Sequence, residues 1–144
     1  MRFWDTSALV PLLLDQPATA RVVGLLDDDP EIVAWWGTPL ECASAAARLR
    51  REDRLTVDDE DVVLALLERL AETWYEILPS EEVREQAGRL LRVHSLRAAH
   101  ALQLAAARTW SGDSKGAELV TFDERLSKAA RLEGFRVLPS SATL

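Results

Sequence analysis

The sequence predicts an α/β fold: a three-layer α/β/α sandwich around a central parallel sheet of about four or five strands, covered by helices on both faces. Three observations carry the prediction. Short apolar runs alternate with stretches of helical periodicity along the chain, no hairpin signal joins two strand candidates, and 48% of the 144 residues are hydrophobic. Strands that never meet through a tight turn are joined by crossovers, and crossovers make parallel sheets. A chain of this length suits one domain over residues 1–144, because a domain near this size buries roughly two-thirds of its unfolded surface. No internal repeat, linker or low-complexity stretch divides it.

In order, Phe3 and Trp4 form a short first strand that runs into Asp5, and Thr6-Ser7 opens an apolar segment from Ala8 to Leu14. Ala18 to Asp28 reads as a helix through Val22, Val23, Leu25 and Leu26, ended by Asp27-Asp28-Asp29-Pro30. Ile32 to Trp36 is a strand candidate broken by Gly37 and Thr38, and Pro39 begins a helix that runs to about Asp53. Asp58 to Trp74 is an amphipathic helix with Val62, Val63, Leu66, Leu67 and Leu70 on one face. Glu76 to Pro79 is at best a short strand. Ser80 caps a helix to about Val93, and Ser95 caps another to about Arg108. Trp110 to Gly116 reads as a polar loop, Glu118 to Phe122 as a strand, Asp123 to Leu132 as a helix, and Phe135 to Leu138 as a last strand before a Pro/Ser tail. Trp4, Trp35 and Trp36, in or beside strands, are assigned to the core. Trp74 and Trp110, near helix ends, are assigned to burial, with a dimer or partner surface as the alternative.

The net charge of −7 and the pI near 4.9 argue against a protein that holds nucleic acid by bulk positive charge. Local arginines and a bound cation remain able to do that work. Arg48, Arg50, Arg51 and Arg54 form the densest basic group, which reads either as a solvated helix end or as a source of phosphate contacts. Cys42 is the only cysteine, so neither an intrachain disulfide nor a cysteine-based zinc site is available, and a reducing cytoplasm fits. Asp5, Pro11 and Asp15 interrupt what would otherwise resemble a signal sequence, and no stretch is long enough to span a membrane.

Three acids fall at equivalent places. Asp5 and Asp123 each follow a strand directly, and Glu41 sits in the first turn of the helix after the second strand. In a parallel sheet these ends lie on one edge, where acids from different strands can meet in a crevice. Like charges held close repel, and a divalent cation with oxygen ligands relieves the repulsion. Helix capping competes as an explanation for each. Asp5 can cap its helix, Thr38-Pro39-Leu40-Glu41 matches a capping box, and Thr121-Phe122-Asp123-Glu124 can form a similar one.

Four blocks resemble the PIN domain: Asp5-Thr6-Ser7-Ala8-Leu9; Glu41 followed by Ala43-Ser44-Ala45-Ala46 and Arg48; Leu96-Arg97-Ala98-Ala99-His100-Ala101-Leu102-Gln103-Leu104-Ala105; and Val120-Thr121-Phe122-Asp123-Glu124-Arg125-Leu126. Their order, spacing and span resemble in particular a VapC-type toxin of a bacterial or archaeal type II toxin–antitoxin pair. The resemblance implies a central parallel sheet between helices, a ribonuclease dependent on Mg²⁺ or Mn²⁺, homodimerisation, and neutralisation by a cognate VapB-like antitoxin. It implies Asp5 as the first metal ligand, Glu41 as the second acid and Asp123 as the last, with Thr6 or Ser7 orienting ligands or water. Cleavage of RNA in this family is expected to leave a 5′-phosphate and a 3′-hydroxyl. Arg48 or other rim arginines could pair with flanking phosphates.

One position departs from the family pattern. Where the family carries an Asp in a sequence like Ala-Asp-Ala-Leu-His-Leu, this chain has His100, and Gln103 replaces the His of that stretch, on the same helix face. The set falls from four carboxylates to three. His100 then ligates a metal, acts as a general base, holds a water, or simply packs in an Ala/Leu-rich helix. The second function reading is accordingly a PIN-like module that has lost catalysis and acts by binding its antitoxin or RNA. A third, an esterase, rests on Gly112-Asp113-Ser114-Lys115-Gly116, but that motif needs a strand before it and a helix after, the reverse of the order expected here.

Overall fold

The computed structural model describes residues 1–140, so the last part of the Pro/Ser tail, 141–144, lies outside the described residues. Five short strands, β1 (Arg2–Trp4), β2 (Ile32–Trp35), β3 (Tyr75–Ile77), β4 (Glu118–Val120) and β5 (Arg136–Leu138), form one parallel sheet in the order β3-β2-β1-β4-β5. Phe3 pairs with Val33 on one side and Leu119 on the other, which puts β1 at the centre. Alternate residues enter opposite cores, as the pleat requires. Phe3, Val33, Trp35, Leu119 and Val137 face one cluster, while Trp4, Ile32, Ala34, Val120 and Leu138 face the other.

The second cluster is closed by α1 (Thr6–Leu13), α2 (Thr19–Asp28), α3 (Thr38–Arg51) and α4 (Val57–Ala71). The first is closed by α5 (Glu81–Val93), α6 (Ala98–Ser111) and α7 (Glu124–Leu132). Both faces of the central strands are thus covered, which explains why they read as continuous apolar runs rather than alternating ones. The chain steps outward from β1 through β2 to β3, then returns to the other side of β1 for β4 and β5. Strand order therefore reverses at the β1–β4 boundary, and the crevice of a parallel sheet opens beyond the carboxyl ends at such a point. Among the described residues, no helix is long and apolar enough to cross a membrane.

Several local expectations are corrected. Trp36 is 55% exposed, because β2 ends at Trp35 and the next residue stands beyond the sheet rather than in the core. Ser95 does not cap α6; Arg97 holds the N-cap position without a side-chain bond, and the helix continues to Ser111. Trp110 consequently lies in that helix rather than opening a loop, and its ring stands 6.5 Å from that of Phe3. On α4 the buried positions are Val63 and Leu67, whereas Val62 and Leu66, one step round the helix, are exposed. The apolar face is narrower than the periodicity implies.

An ion cluster ties α5, α6 and α7 together. Glu133, the C-cap of α7, faces Arg89 of α5 at 2.5 Å, His94 at 2.7 Å and Arg108 of α6 at 3.1 Å, with its side chain 9% exposed. Burial pushes its carboxyl up, but the bonds from Arg89 and His94 and the charges of Arg89 and Arg108 outweigh burial and hold it below the usual range. A depressed carboxyl contributes stability that is present above its unfolded pKa and lost as pH falls through its folded pKa. Glu133→Gln is therefore expected to lower stability by about 1–3 kcal/mol at pH 7, with the gap closing below about pH 4. Urea unfolding of both proteins at the two pH values checks this, and a gap independent of pH contradicts it.

Candidate active site

Asp5 sits where the strand order reverses. Its N–H donates to the Val120 carbonyl at 3.0 Å, so the residue after β1 is fixed against the end of β4. The side chain is 1% exposed, and its two oxygens are treated very differently. Oδ2 accepts from the Ser7 N–H at 3.2 Å, the Ser7 hydroxyl at 2.6 Å and the Thr121 hydroxyl at 2.9 Å. Oδ1 is buried and has no hydrogen-bond partner among the described residues. The capping role expected of Asp5 is present, but it uses one oxygen only.

Thr121 and Ser7 do more than the sequence suggests. Thr121 Oγ1 accepts the Asp123 N–H at 3.0 Å, and Ser7 Oγ accepts the Phe122 N–H at 2.9 Å. Each hydroxyl accepts a hydrogen bond from a backbone N–H of the β4–α7 turn and donates its own to Asp5, so the two strand-end acids share one hydrogen-bonded frame. The sequence offered Thr121 only as the start of a capping box, not as a partner of Asp5; its place at a strand end two residues before an acid is the signal that could have suggested more.

Glu41 enters from α3. Gly37 precedes that helix, and a Cβ there would stand 2.7 Å from the Trp35 indole nitrogen, a close approach that only glycine permits. The capping-box reading of Glu41 does not hold: α3 has no side-chain cap bond, and Glu41 Oε2 instead accepts from Gln103 Nε2 at 2.9 Å. Burial holds the Glu41 carboxyl above its ordinary range against the bond from Gln103, and the charge of Asp5 pushes in the same direction as burial. Beside it, burial together with Glu41 and Asp5 drives the Cys42 thiol up to about 12, leaving it an inert core group.

Asp123 caps α7 directly, with Oδ1 accepting the Leu126 N–H at 2.8 Å, in place of the box from Thr121 to Glu124. His100 faces it, Nδ1 standing 3.7 Å from Asp123 Oδ1, and the two side chains are 31% and 30% exposed. His100 is thus a cleft residue, not part of the apolar interior of α6.

Asp5, Glu41, His100 and Asp123 line one cleft of about 530 Å³. Thr6, Ser7 and Arg48 stand on its walls, so every candidate from the sequence comes to one place. Gln16 and Ser44 also line it and were not singled out. Among the described residues, no three His, Cys, Asp or Glu side chains are drawn together tightly enough to form a ready-made metal cage. The cleft is acidic and convergent, yet open. Its donors are carboxylate oxygens, the ligand type of hard divalent cations, and the partnerless buried Oδ1 of Asp5 is an acceptor that such a cation would satisfy.

Of the arginine group, only Arg48 reaches the cleft. Arg50 pairs with Glu60 at 2.8 Å and Arg54 with Glu52 at 4.0 Å. The Gly112-to-Gly116 loop follows α6 and precedes β4, which puts Ser114 before the start of a strand whose far end carries the acids. The nucleophile geometry of an esterase is absent there.

The family model of the PIN domain matches residues 2–132. Ribonuclease VapC45 of Mycobacterium tuberculosis is 34% identical over 143 residues, covering 96% of this chain and 94% of that protein. Among solved structures, a toxin–antitoxin complex from Klebsiella pneumoniae superposes with a TM-score of 0.66 at 17% identity, covering 94% of this chain and 96% of that one. VapC20 of Mycobacterium tuberculosis, described as a toxin that cleaves the sarcin–ricin loop, superposes with a TM-score of 0.67 at 19% identity over 90% and 95% of the two chains. On the profile match and the full-length identity, the chain belongs to the PIN-domain family, in its VapC-type branch.

Proposed function

We propose that the chain is a divalent-metal-dependent endoribonuclease, the toxin of a toxin–antitoxin pair. In this reading residues 1–144 form one domain that acts as a cytoplasmic homodimer and is neutralised by a VapB-like antitoxin. The ribonuclease name of its relative supports the chemistry, and the Klebsiella complex supports an antitoxin partner. The observation that carries the reading is Asp5, buried at the end of the central strand with one oxygen bonded by Ser7 and Thr121 and the other left without a partner.

Asp5, Glu41 and Asp123 would hold a Mg²⁺ or Mn²⁺ ion. Such an ion supplies Lewis acidity toward a phosphodiester oxygen and lowers the pKa of a bound water. Ser7 and Thr121 keep Asp5 Oδ2 occupied, so Oδ1 is the oxygen on offer. Thr6 would help orient a ligand or water, and Arg48 would pair with a flanking phosphate. His100 would orient a water or accept its proton, since it lines the cleft and faces Asp123.

Asp123→Asn gives a clean test, because Asn caps helices as well as Asp does and the fold should survive. Mn²⁺-dependent cleavage of structured RNA is expected to fall by about a hundred-fold or more. Cleavage at the wild-type rate would refute the assignment. A second reading, a binding module without catalysis, is favoured by His100 standing where the family carries a carboxylate. Titration of Mn²⁺ into the wild-type protein separates the two, since no binding at millimolar metal supports the module.

A further inference from the structure

Gln103 is out of place in its helix. Along α6 the other buried side chains are Ala101, Leu104, Ala105, Ala106 and Ala107, and Gln103 among them is 0% exposed. Burying an amide costs free energy unless both of its ends are bonded, and here one is not: Oε1 has no partner among the described residues. A leucine or methionine would pack the same position without an orphaned acceptor. The other end of the amide shows what the glutamine is for.

Nε2 lies 2.9 Å from Glu41 Oε2, 3.0 Å from Thr38 Oγ1 and 3.1 Å from Thr6 Oγ1. Thr6 opens α1 and Thr38 opens α3, so one side chain reaches the starts of both helices that follow the two central strands on this edge. An amide nitrogen carries only two hydrogens and accepts none, and the carboxylate is its strongest acceptor, so the second hydrogen serves the two threonine oxygens between them and both hydroxyl protons point elsewhere. Gln103, and to a lesser extent Thr6, favour the charged form of Glu41 against burial. Turning the amide over would relieve Oε1 but set it against the Glu41 carboxylate, acceptor to acceptor. The orientation is therefore fixed by the acid.

We infer that Gln103 is a positioning residue that clamps Glu41 Oε2, through a bond shared with the Thr6 and Thr38 hydroxyls, and so leaves Glu41 Oε1 as the oxygen available to the cleft. This rests on the cation reading of the cleft given above. It assigns Gln103 a role toward Glu41 that His100, on the same helix, does not share, since His100 faces Asp123 instead.

The test is a double-mutant cycle read by Mn²⁺ affinity in calorimetry. Gln103→Met is expected to weaken Mn²⁺ binding about ten-fold, as loss of a group that orients a ligand does. Gln103→His, which restores an N–H donor, should recover most of that loss. In a Glu41→Gln background the same Gln103→Met change should add less than about two-fold, because it acts through the residue already altered. Full additivity, or wild-type affinity in Gln103→Met, overturns the inference while leaving the cation reading intact. Absence of Mn²⁺ binding by the wild type sinks the cation reading and this role with it. A metal-free readout stands apart from both: the Gln103 side-chain amide resonances, identified by their loss in Gln103→Met, should shift in Glu41→Gln, and no shift means that the clamp does not exist.

Discussion

Asp5→Asn is expected to reduce cation binding and RNA cleavage by about a thousand-fold or more while leaving the metal-free protein at least as stable as the wild type. The substitution keeps the shape of the side chain and one carbonyl oxygen, enough to accept from the Ser7 N–H, the Ser7 hydroxyl and the Thr121 hydroxyl. What it removes is the negative charge on a buried oxygen that no group among the described residues satisfies. That charge also bears on Glu41, whose carboxyl is raised chiefly by burial and further by Asp5. A carboxyl with a raised pKa contributes stability below its unfolded pKa and loses it as pH rises through the folded one, so the wild-type apo fold is penalised on the alkaline side. Removing Asp5's charge lessens that penalty, and the gain of about 0.5–2 kcal/mol typical of relieving a functional strain should show at pH 8 and fade toward pH 4. Mn²⁺ should reverse the ranking, since at about a hundred times its dissociation constant a ligand stabilises by roughly 2.7 kcal/mol and the variant cannot draw on it. Thermal melts in EDTA and in Mn²⁺ check both halves. Equal stabilisation of the two proteins by Mn²⁺ would remove Asp5 from the cation site.

The contrast between Asp5 and Gln103 shows how far the sequence could be read. Phe3-Trp4-Asp5 and Leu119 to Asp123 announce themselves locally, as an apolar strand running into an acid and then a helix, and both acids stand in the cleft. Their capping was also legible, and it engages only one oxygen of each carboxylate. Glu41 stands in the same cleft, but its capping box was a false pattern: Gly37, not Thr38, is the cap, and the side chain turns inward to Gln103. What could not be read were bonds between residues remote in the chain. The links from Thr121 to Asp5 and from Gln103 to Thr38 and Thr6 exist only because β1 lies between β2 and β4, and alternation of strands and helices does not fix that order. Trp36 failed for a different reason. An apolar run of five residues does not say where the sheet ends, and β2 ends one residue short of it.

His100→Asp is expected to tighten cation binding by about ten- to a hundred-fold, since added ligand charge is the main lever on affinity for hard cations. The metal-free protein should lose a little stability in exchange, because a carboxylate at position 100 would face Asp123, whose Oδ1 now has the His100 ring 3.7 Å away. Both side chains are about one-third exposed, so screening keeps that loss under about 1 kcal/mol. The informative quantity is the ratio of Mg²⁺ to Mn²⁺ affinity. An imidazole that binds the ion directly favours Mn²⁺, so its replacement by a carboxylate should raise Mg²⁺ affinity far more than Mn²⁺ affinity. If His100 only orients water, both affinities should rise together, and RNA cleavage should not follow, because the group that handled the proton is gone. A variant that gains neither affinity would show that position 100 lies outside the cation's reach, and the three remaining acids would have to account for binding without it.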